Sequence, residues 1–306
     1  MINHVYIIAE AGVNHNGRLD LALQLCNAAK DAGADAVKFQ TWKTEKIVTR
    51  NAELAVYQEN NISDKTKSQF KMLKELELSY DNFEVVKNHC DEIGIQFLST
   101  PDEIDSLDFL CNFNLPFIKL GSGDVTNIPF LRLVGSRHID VVLSTGMSYL
   151  GDVEIAYRTL IEAGAKSVSL LHCTTNYPMG VEVPVAAVAM GAEIIEKHFT
   201  LDKEMDGPDH KASLNPEELK QMVVAIRHIE QALGDGIKQP NESEKQISEV
   251  VLKRIVAATP IKEGEVLSAD NMTVKRSTVG LKASLWDLVN GRIATCNYAI
   301  DEPIII

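Results

Sequence analysis

The sequence predicts an α/β protein whose larger part is a (β/α)8 barrel of the TIM type. Short apolar runs alternate with amphipathic segments from residue 6 to about residue 200, which is typical of a parallel sheet covered by helices. Each run ends in side chains that can do chemistry, and in such barrels the carboxyl ends of the strands carry the catalytic groups. The predicted strands cover residues 6–10, 36–40, 96–100, 117–122, 141–145, 169–173 and 194–198.

The segments between these runs have the apolar periodicity of helices. In the first helix, residues 19–33, Gly33 supplies the end signal, and Asn215-Pro216 supplies the start signal of the last one. Residues 44–79 are too long and polar for a plain connection, so we expect a lid or insertion over the pocket. The other predicted helices cover residues 81–93, 103–113, 151–163 and 181–192.

The number of predicted strands is one short of a closed barrel. Between Cys173 and Ile194 there is room for one helix and no strand, whereas a strand-and-helix unit takes about 30 residues. Either the barrel is open or the sequence lacks a piece. Because losing a central strand should prevent folding, we favour a missing piece over a true deletion, and the intact mass of the purified protein would distinguish the two.

The chain changes character after the barrel. We predict a catalytic barrel domain over residues 1–234, a linker over 235–246, which is rich in Gly, Pro and charge, and a small β-rich domain over 247–306. Short β-type runs broken by glycine and proline indicate the second domain. They cover residues 250–252, 255–258, 266–267 and 273–275.

Bulk composition excludes several classes of protein. The formal net charge of −13 and pI near 5.1 argue against nucleic-acid binding, which needs a basic face. A local group such as Lys38, Lys119 and Lys197 can still attract an anionic substrate. No apolar stretch or leader predicts a membrane or secreted protein, and five scattered cysteines fit reduced thiols in the cytoplasm.

Charged and polar side chains interrupt the first two predicted strands. Glu10 lies inside the first strand, where burial of a charge is costly unless it is paired or bound to a ligand. Lys38 and Gln40 share one face of the second strand. A phosphate or carboxylate is a natural partner for a buried lysine, and a salt bridge from Lys38 to Glu10 or Glu196 is the alternative.

Further along, cations, hydroxyls and glycines occur together. Lys119 precedes Gly121-Ser122-Gly123, a pattern that can bind an anion through backbone amides and a hydroxyl. Ser99-Thr100 and Ser144-Thr145 each end a strand before a chain-breaking residue. Such hydroxyls either cap the following helix or hold phosphate oxygens, and the repetition favours phosphate.

Two histidines allow different interpretations. His198 ends the last strand, with Asp209 in the following loop, and a neutral imidazole is a common ligand of divalent transition metals. A single histidine is more often structural than a ligand. We interpret His172, within a predicted strand, as a core histidine.

Taken together, the motifs resemble the sialic acid (N-acetylneuraminate) synthase family, whose members condense phosphoenolpyruvate with sugars to make nine-carbon 2-keto acids. The resemblance covers almost the whole chain, in order. The matching motifs are residues 8–17 (Ile-Ala-Glu-Ala-Gly-Val-Asn-His-Asn-Gly), 37–41 (Val-Lys-Phe-Gln-Thr), 120–124 (Leu-Gly-Ser-Gly-Asp), 144–147 (Ser-Thr-Gly-Met), 171–178 (Leu-His-Cys-Thr-Thr-Asn-Tyr-Pro), 196–203 (Glu-Lys-His-Phe-Thr-Leu-Asp-Lys) and 207–213 (Gly-Pro-Asp-His-Lys-Ala-Ser).

The resemblance implies a role for each candidate residue. Glu10 would lie beside the reacting carbons, Asp124 near a metal-bound water, and Tyr177 and Asp209 against the acceptor sugar. His198 would bind a divalent metal, most often Mn²⁺, with Mg²⁺ or Co²⁺ as alternatives. Phosphoenolpyruvate would be held by Lys38, Thr100, Lys119, Ser122 and Ser144, with Gln40 and Thr175 nearby.

The resemblance also implies an antifreeze-protein-like (SAF) second domain and a cytoplasmic homodimer. Each SAF domain would cap the partner's active site, and Arg276 would reach the N-acyl group of the acceptor there. This sequence departs from the family at two motifs. The Ser-Asp-His-Thr stretch with the second metal histidine does not occur, and the Arg-Pro-Gly-x-Gly loop reads Arg276-Ser277-Thr278-Val279-Gly280.

The expected activity is condensation of phosphoenolpyruvate with an open-chain N-acyl hexosamine, N-acetylmannosamine or a relative. A legionaminic or pseudaminic acid synthase acting on a 2,4-diacetamido-trideoxyhexose is the close alternative. A Schiff-base aldolase that uses Lys38 or Lys119 is a second enzyme class. A sugar-binding protein with impaired catalysis is the non-enzymatic alternative, if residues 178 and 179 are truly contiguous.

Overall fold

A computed structural model divides the chain into two compact units, Met1–Asp235 and Gly236–Ile306. The structure describes residues 4–55, 58, 61–64, 67–174 and 180–305. Among these residues, none of the helices combines the length and apolar character that crossing a bilayer requires.

Strands and helices alternate through the first unit, as the sequence predicts. Its strands are β1 (Tyr6–Gly12), β2 (Ala36–Thr41), β3 (Gln96–Pro101), β4 (Ile118–Leu120), β5 (Asp140–Ser144), β6 (Ser167–Leu171) and β7 (Ile194–His198). Its α-helices are α1 (Leu19–Ala32), α2 (Thr44–Ile47), α3 (Gln69–Leu76), α4 (Tyr80–Ile93), α5 (Ile104–Cys111), α6 (Ile128–Gly135), α7 (Leu150–Ala163), α8 (Glu182–Ala189) and α9 (Pro216–Leu233).

In the described part of the first unit, the strands pair parallel and form two sheets. The orders are β3-β2-β1-β7 and β4-β5-β6, and β3 lies beside β4. The main apolar core lies between these strands and the surrounding helices. The fold is therefore that of a TIM-type barrel, which confirms the predicted class.

The barrel is open between β6 and β7. Within the described ranges, each of these strands pairs with one neighbour only. Most of β6 is consequently exposed, including Leu170 at 46%. The interruption coincides with the place where the sequence offers no strand.

Local signals set the helix ends as predicted. Gly33 ends α1 in the left-handed conformation at φ 84°, which glycine adopts without steric cost. Asn215 starts α9, where its side chain accepts a hydrogen bond from the Glu218 amide while the Glu218 carboxylate accepts one from the Asn215 amide. This reciprocal pair is a capping box.

The segment predicted as a lid or insertion contains α2 and α3 and shares a small core with Val13 and Trp42. Trp42, Ile62 and Met72 are among the buried side chains of that core. The Asn61 side-chain amide donates to the Pro208 carbonyl at 2.6 Å, and the Ser63 amide donates to Asp206 at 2.7 Å. The segment is thereby tied to the loop that follows β7.

The second unit has its own secondary structure and core. It contains α10 (Glu242–Val251), β8 (Lys253–Ala257), β9 (Met272–Arg276) and α11 (Trp286–Val289). The strands β8 and β9 pair antiparallel. Its core consists of Ile255, Ala257, Ile261, Leu267, Met272, Val289, Ala294, Tyr298 and Ile304.

The β-type interpretation of residues 250–252 is wrong, because Val250 and Val251 lie in α10. The first residues of that helix also fall within the segment predicted as a linker. Asn241 and Glu244 form a capping box at its start, and this local signal outweighs the β-type pattern. At residues 266–267 the β-structure is limited to an isolated antiparallel bridge between Val266 and Ile293.

Candidate active site

Lys38 and Glu10 form a buried ion pair at the carboxyl ends of β1 and β2. The two residues are register partners, and the Lys38 Nζ atom lies 2.6 Å from a Glu10 carboxylate oxygen. Nζ also donates to the Thr100 hydroxyl at 3.0 Å. Burial lowers the pKa of Lys38, but Glu10 and Glu196 outweigh it and hold that pKa above its usual value, so the lysine is a cation.

Lys119 provides a second buried cation with a similar environment. Its Nζ atom donates to the Ser144 hydroxyl at 2.7 Å and to the Leu120 carbonyl at 2.9 Å. Burial holds the pKa of Lys119 below its ordinary value, although Glu196 opposes this shift.

The two lysines converge on one carboxylate. Lys38 Nζ lies 3.8 Å from one Glu196 oxygen, and Lys119 Nζ lies 3.6 Å from the other. The lysines belong to different sheets, and Glu196 belongs to β7. Three strands therefore bring two ammonium groups to one point, with a hydroxyl beside each.

The hydroxyls beside the lysines are not helix caps, so the capping alternative is wrong for them. Helix α5 is capped by the Glu103 carboxylate, which accepts the Asp105 amide at 2.7 Å. At the start of helix α7, the Tyr149 amide donates to the Asp152 carboxylate at 3.0 Å. Thr100 and Ser144 are thus available to a ligand that binds the lysines.

Ser122 and Asp124 follow β4 in a short 3-10 helix, Ser122–Asp124. The Ser122 hydroxyl accepts a hydrogen bond from the Gly146 amide at 3.0 Å, which ties the ends of β4 and β5 together. Burial raises the pKa of Asp124, and the Asn127 side chain opposes this by donating to Asp124 at 2.9 Å.

A glycine lies close to the Glu10 carboxylate. The Gln40 side-chain amide donates to Glu10 at 3.0 Å. A Cβ atom on Gly12, whose φ is 42°, would lie 3.0 Å from Glu10 Oε1 and 3.6 Å from His198 Cε1. Burial raises the pKa of Glu10 to about 7 although Lys38 opposes the shift, so this carboxyl exchanges a proton near neutral pH.

His198 and Asp209 lie on the other side of Glu10. His198 is the register partner of Glu10 on β7. Burial lowers the pKa of His198 and raises that of Asp209, and each residue opposes the shift of the other. The imidazole is accordingly neutral, as a metal ligand must be.

The donor set for a metal ion is nevertheless incomplete. Within the described part of the chain, no three His, Cys, Asp or Glu side chains are arranged to hold one. Within these residues, one imidazole with neighbouring carboxylates does not complete the metal site that the resemblance implies.

For three predicted residues the structure gives no test. Thr175 and Tyr177 fall outside the described residues. Arg276 ends β9 in the second unit and is exposed. The interpretation of His172 as a core residue is wrong, because it follows β6 and is exposed where the barrel is open.

Sequence reasoning missed three residues of the site. The sequence suggests Glu196 only as a salt-bridge partner of Lys38, although period-two alternation places it on the same strand face as His198. Asp102 comes directly after β3, at the strand end where catalytic groups are expected. Gly12 carries no chemistry of its own, and its left-handed backbone is visible only in the structure.

Comparison with known proteins gives matches along most of the chain. The profile of the NeuB family matches residues 25–182 and 179–238, and that of the SAF domain matches residues 254–304. N,N'-diacetyllegionaminic acid synthase from Campylobacter jejuni is 42% identical, covering 97% of this chain and 98% of the relative. The protein of the same name from Legionella pneumophila is 38% identical, covering 94% and 90%.

A solved structure shows the same fold. The N-acetylneuraminic acid (sialic acid) synthetase from Leptospira borgpetersenii, in complex with citrate, superposes with a TM-score of 0.69 at 31% identity. The match covers 81% of this chain and 91% of that one.

The comparisons agree with an interruption between β6 and β7. The alignment with the Campylobacter relative extends over 328 residues but includes only 97% of this 306-residue chain. About 30 positions thus lack a counterpart here, the length of one strand-and-helix unit. The two matches to the family profile meet at residues 179–182, between β6 and β7. Despite this interruption, the chain belongs to the NeuB family and carries a C-terminal SAF domain.

Proposed function

We propose that the protein condenses phosphoenolpyruvate with the open-chain form of an N-acyl hexosamine to give a nonulosonic acid and phosphate. The convergence of Lys38 and Lys119 on Glu196 supports this proposal most directly. Two ammonium groups with adjacent hydroxyls form a receptor for a small substrate that carries both a carboxylate and a phosphate. The names of the relatives agree with this activity, since both are nonulosonic acid synthases.

Substrate binding would change how the charges of the two lysines are balanced. Without substrate, the lysine charges are balanced by Glu10 and Glu196. Phosphoenolpyruvate would add its own negative charge to both ammonium groups and accept hydrogen bonds from Thr100 and Ser144. Ser122 would take part at the adjoining strand end. Charge-assisted hydrogen bonds of this kind are stronger than neutral ones.

The reaction forms one carbon–carbon bond and breaks one carbon–oxygen bond. The methylene carbon C3 of phosphoenolpyruvate attacks the aldehyde carbon, and positive character develops at C2. Water adds to C2, and phosphate leaves with its bridging oxygen. The water loses both of its protons as its oxygen becomes the ketone oxygen of the product. The aldehyde oxygen gains one proton, and the second leaves with the phosphate. Glu10, with its pKa near 7, would exchange a proton beside the reacting carbons, and Asp124 would accept a proton of the water.

The acceptor belongs to the same proposal. Both Campylobacter and Legionella relatives are N,N'-diacetyllegionaminic acid synthases, which favours a 2,4-diacetamido-2,4,6-trideoxyhexose over N-acetylmannosamine. We assign contacts with the acceptor to Asp209 and Tyr177. A cytoplasmic homodimer, in which Arg276 of each SAF domain reaches the partner's acceptor, remains a prediction that light scattering and an Arg276→Ala variant test.

Manganese dependence is also still a prediction. Elemental analysis of the purified protein and titration with EDTA test it directly. Resistance to EDTA combined with borohydride trapping of the keto acid on a lysine would instead indicate the Schiff-base aldolase.

Phosphate release is the decisive assay for the activity. The purified protein is incubated with phosphoenolpyruvate, manganese and a panel of N-acylated hexoses that includes both candidate acceptors. We expect phosphate only when phosphoenolpyruvate and an acceptor are both present, with the trideoxyhexose the better one. No phosphate with any acceptor, despite measurable sugar binding, would favour the sugar-binding alternative.

A further inference from the structure

The site holds more carboxyl groups than cations. Around Lys38 and Lys119 lie Glu10, Glu196 and Asp102, and Asp124 interacts in turn with Asp102. If all four carboxyls were ionised, the site would be negative before a substrate anion entered. An anion of high charge binds there only when some of these carboxyls are protonated, because like charges repel strongly at low dielectric.

Asp102 is placed to be one of the protonated groups. It follows β3 directly, and its backbone amide donates to the Thr41 carbonyl at 3.1 Å. Two residues earlier, Thr100 accepts a hydrogen bond from Lys38. The Asp102 carboxyl is close enough to Lys38 and Asp124 to interact electrostatically with both. From the described part of the chain, no hydrogen bond reaches this carboxyl, so it is available to a ligand.

We propose that Asp102 binds phosphoenolpyruvate as a neutral carboxylic acid and donates a hydrogen bond to one of its anionic oxygens. This inference rests on the proposed function and deepens it by coupling substrate binding to a proton. Where the free protein has lost that proton, binding takes one up from solution. The ionised form of Asp102 repels the substrate instead.

The electrostatic surroundings agree with this role. Burial raises the pKa of Asp102 to about 8, Asp124, Glu10 and Glu103 raise it too, and Lys38 opposes them. An incoming anion favours the neutral acid further. Phosphoenolpyruvate affinity therefore declines as the pH rises above about 8, by up to roughly tenfold per pH unit. Lys119, whose pKa is lowered by burial, also loses its charge at alkaline pH, and this weakens substrate binding independently of Asp102. The test therefore compares the wild type with variants at residue 102.

Asp102→Asn is the central variant, because its amide keeps a donor and cannot titrate. Isothermal titration of the full-length protein with phosphoenolpyruvate, in two buffers of different ionisation enthalpy, measures both the Kd and the protons taken up. We expect the variant to bind within about threefold of the wild type at neutral pH. Between about pH 8 and about pH 9, its proton uptake on binding and its loss of affinity should both be smaller than in the wild type, because residue 102 no longer titrates.

Asp102→Ala and Asp105→Asn complete the set. The alanine variant loses the donor, so its Kd at neutral pH should rise roughly tenfold. Asp105, three residues after Asp102, is an exposed carboxylate paired with Lys46 of α2. Its asparagine variant should match the wild type throughout. Thermal unfolding confirms that each variant is folded.

Two results would overturn the role of Asp102 while the proposed function stands. One is binding of phosphoenolpyruvate by Asp102→Asn with wild-type proton uptake. The other is a loss of affinity of tenfold or more in Asp102→Asn at neutral pH, which would mean that the ionised carboxylate is needed. A wild-type protein that binds no phosphoenolpyruvate would contradict both proposals.

Discussion

At the scale of single residues, the site depends on how each buried charge is balanced. Lys38 has one carboxylate at 2.6 Å, whereas Lys119 has its carboxylate at 3.6 Å and relies on the Ser144 hydroxyl and a backbone carbonyl. Lys119 is therefore the less neutralised of the two cations, and it attracts an entering anion more strongly. Lys38 is more tightly paired. It contributes to substrate binding once the substrate displaces Glu10, or once Glu10 takes up a proton.

Replacing Lys38 should affect phosphoenolpyruvate far more than the sugar. In Lys38→Ala, the loss of a charge-assisted contact costs about 1.5–3 kcal/mol, so the KM for phosphoenolpyruvate should rise roughly 10- to 150-fold. The KM for the acceptor should change little. Steady-state kinetics with either substrate varied measures both values. Lys220→Ala, an exposed lysine on α9, is the matched control, and equal effects on the two substrates would contradict the assignment.

His15 should make stability depend on pH. It is fully buried, and burial lowers its pKa from 6.5 to about 4. Since the unfolded chain takes up this proton near pH 6.5 and the folded chain does not, stability is complete above that pH and falls as the pH decreases towards 4. The whole contribution is about 3 kcal/mol, of which about 2 kcal/mol is lost by about pH 5.

Denaturant unfolding of the wild type and His15→Gln, at neutral pH and at about pH 5, measures this contribution. The difference in unfolding free energy between the two proteins should shrink by about 2 kcal/mol on acidification. His228→Gln, which replaces an exposed histidine on α9, should keep the pH dependence of the wild type. A His15→Gln profile parallel to the wild type would show that this imidazole is protonated alike in both states.

At the scale of elements, the sequence predicts most strands because burial follows apolar composition. The strand β6 is predicted correctly, but its exposure is not. Leu170 and Leu171 have a strand composition, yet within the described residues β6 pairs with β5 only. Burial of a strand depends on its neighbours, and a local pattern cannot show that a neighbour is missing; only the strand count reveals it. At α10, the capping pair of Asn241 and Glu244 is a signal that can be read from the sequence. It favours a helix, and it outweighs the preference of the two valines for a strand.

The site shows the same division between local and distant information. Lys38 and Lys119 were predictable because a lysine inside an apolar strand is rare. Their meeting at Glu196 was not, because it depends on how two separate sheets face each other. Asp102 lay outside the prediction because an acidic residue in a loop after a strand is common. Its significance comes from the neighbouring charges, which belong to other strands.

The open edge of β6 should make the protein prone to aggregation. An unpaired strand with exposed apolar side chains can pair with another chain, and Leu170 is 46% exposed there. Leu170→Lys should reduce aggregation on warming, as light scattering measures, while changing the unfolding free energy by only about 0.5 kcal/mol. Leu288→Lys, at an exposed site on α11, is the control. Equal aggregation of the wild type and Leu170→Lys would show that the protein does not aggregate through this strand edge.

At the scale of the whole molecule, the net charge and the local charge of the site have opposite effects on an anionic substrate. A net charge of −13 repels a phosphorylated acid at long range, but screening limits that repulsion to about 10 Å at moderate ionic strength. Inside the site, the nearby lysines dominate. Substrate affinity should accordingly be governed by the local protonation of the site rather than by the charge of the surface.

The architecture predicts that the second unit folds without the barrel. Its buried side chains form a separate core around Ile255 and Tyr298, and a domain with its own core can fold alone. A fragment of residues 236–306 should show dispersed amide resonances and one cooperative thermal transition. Ile255→Ala should destabilise that fragment by about 2–5 kcal/mol and, in the full-length chain, lower only one of two transitions. Val279→Ala, at an exposed position, should leave both unchanged. A fragment without a cooperative transition would show that this core depends on the barrel, because burial within the unit would then be too small to offset the entropy of ordering its chain.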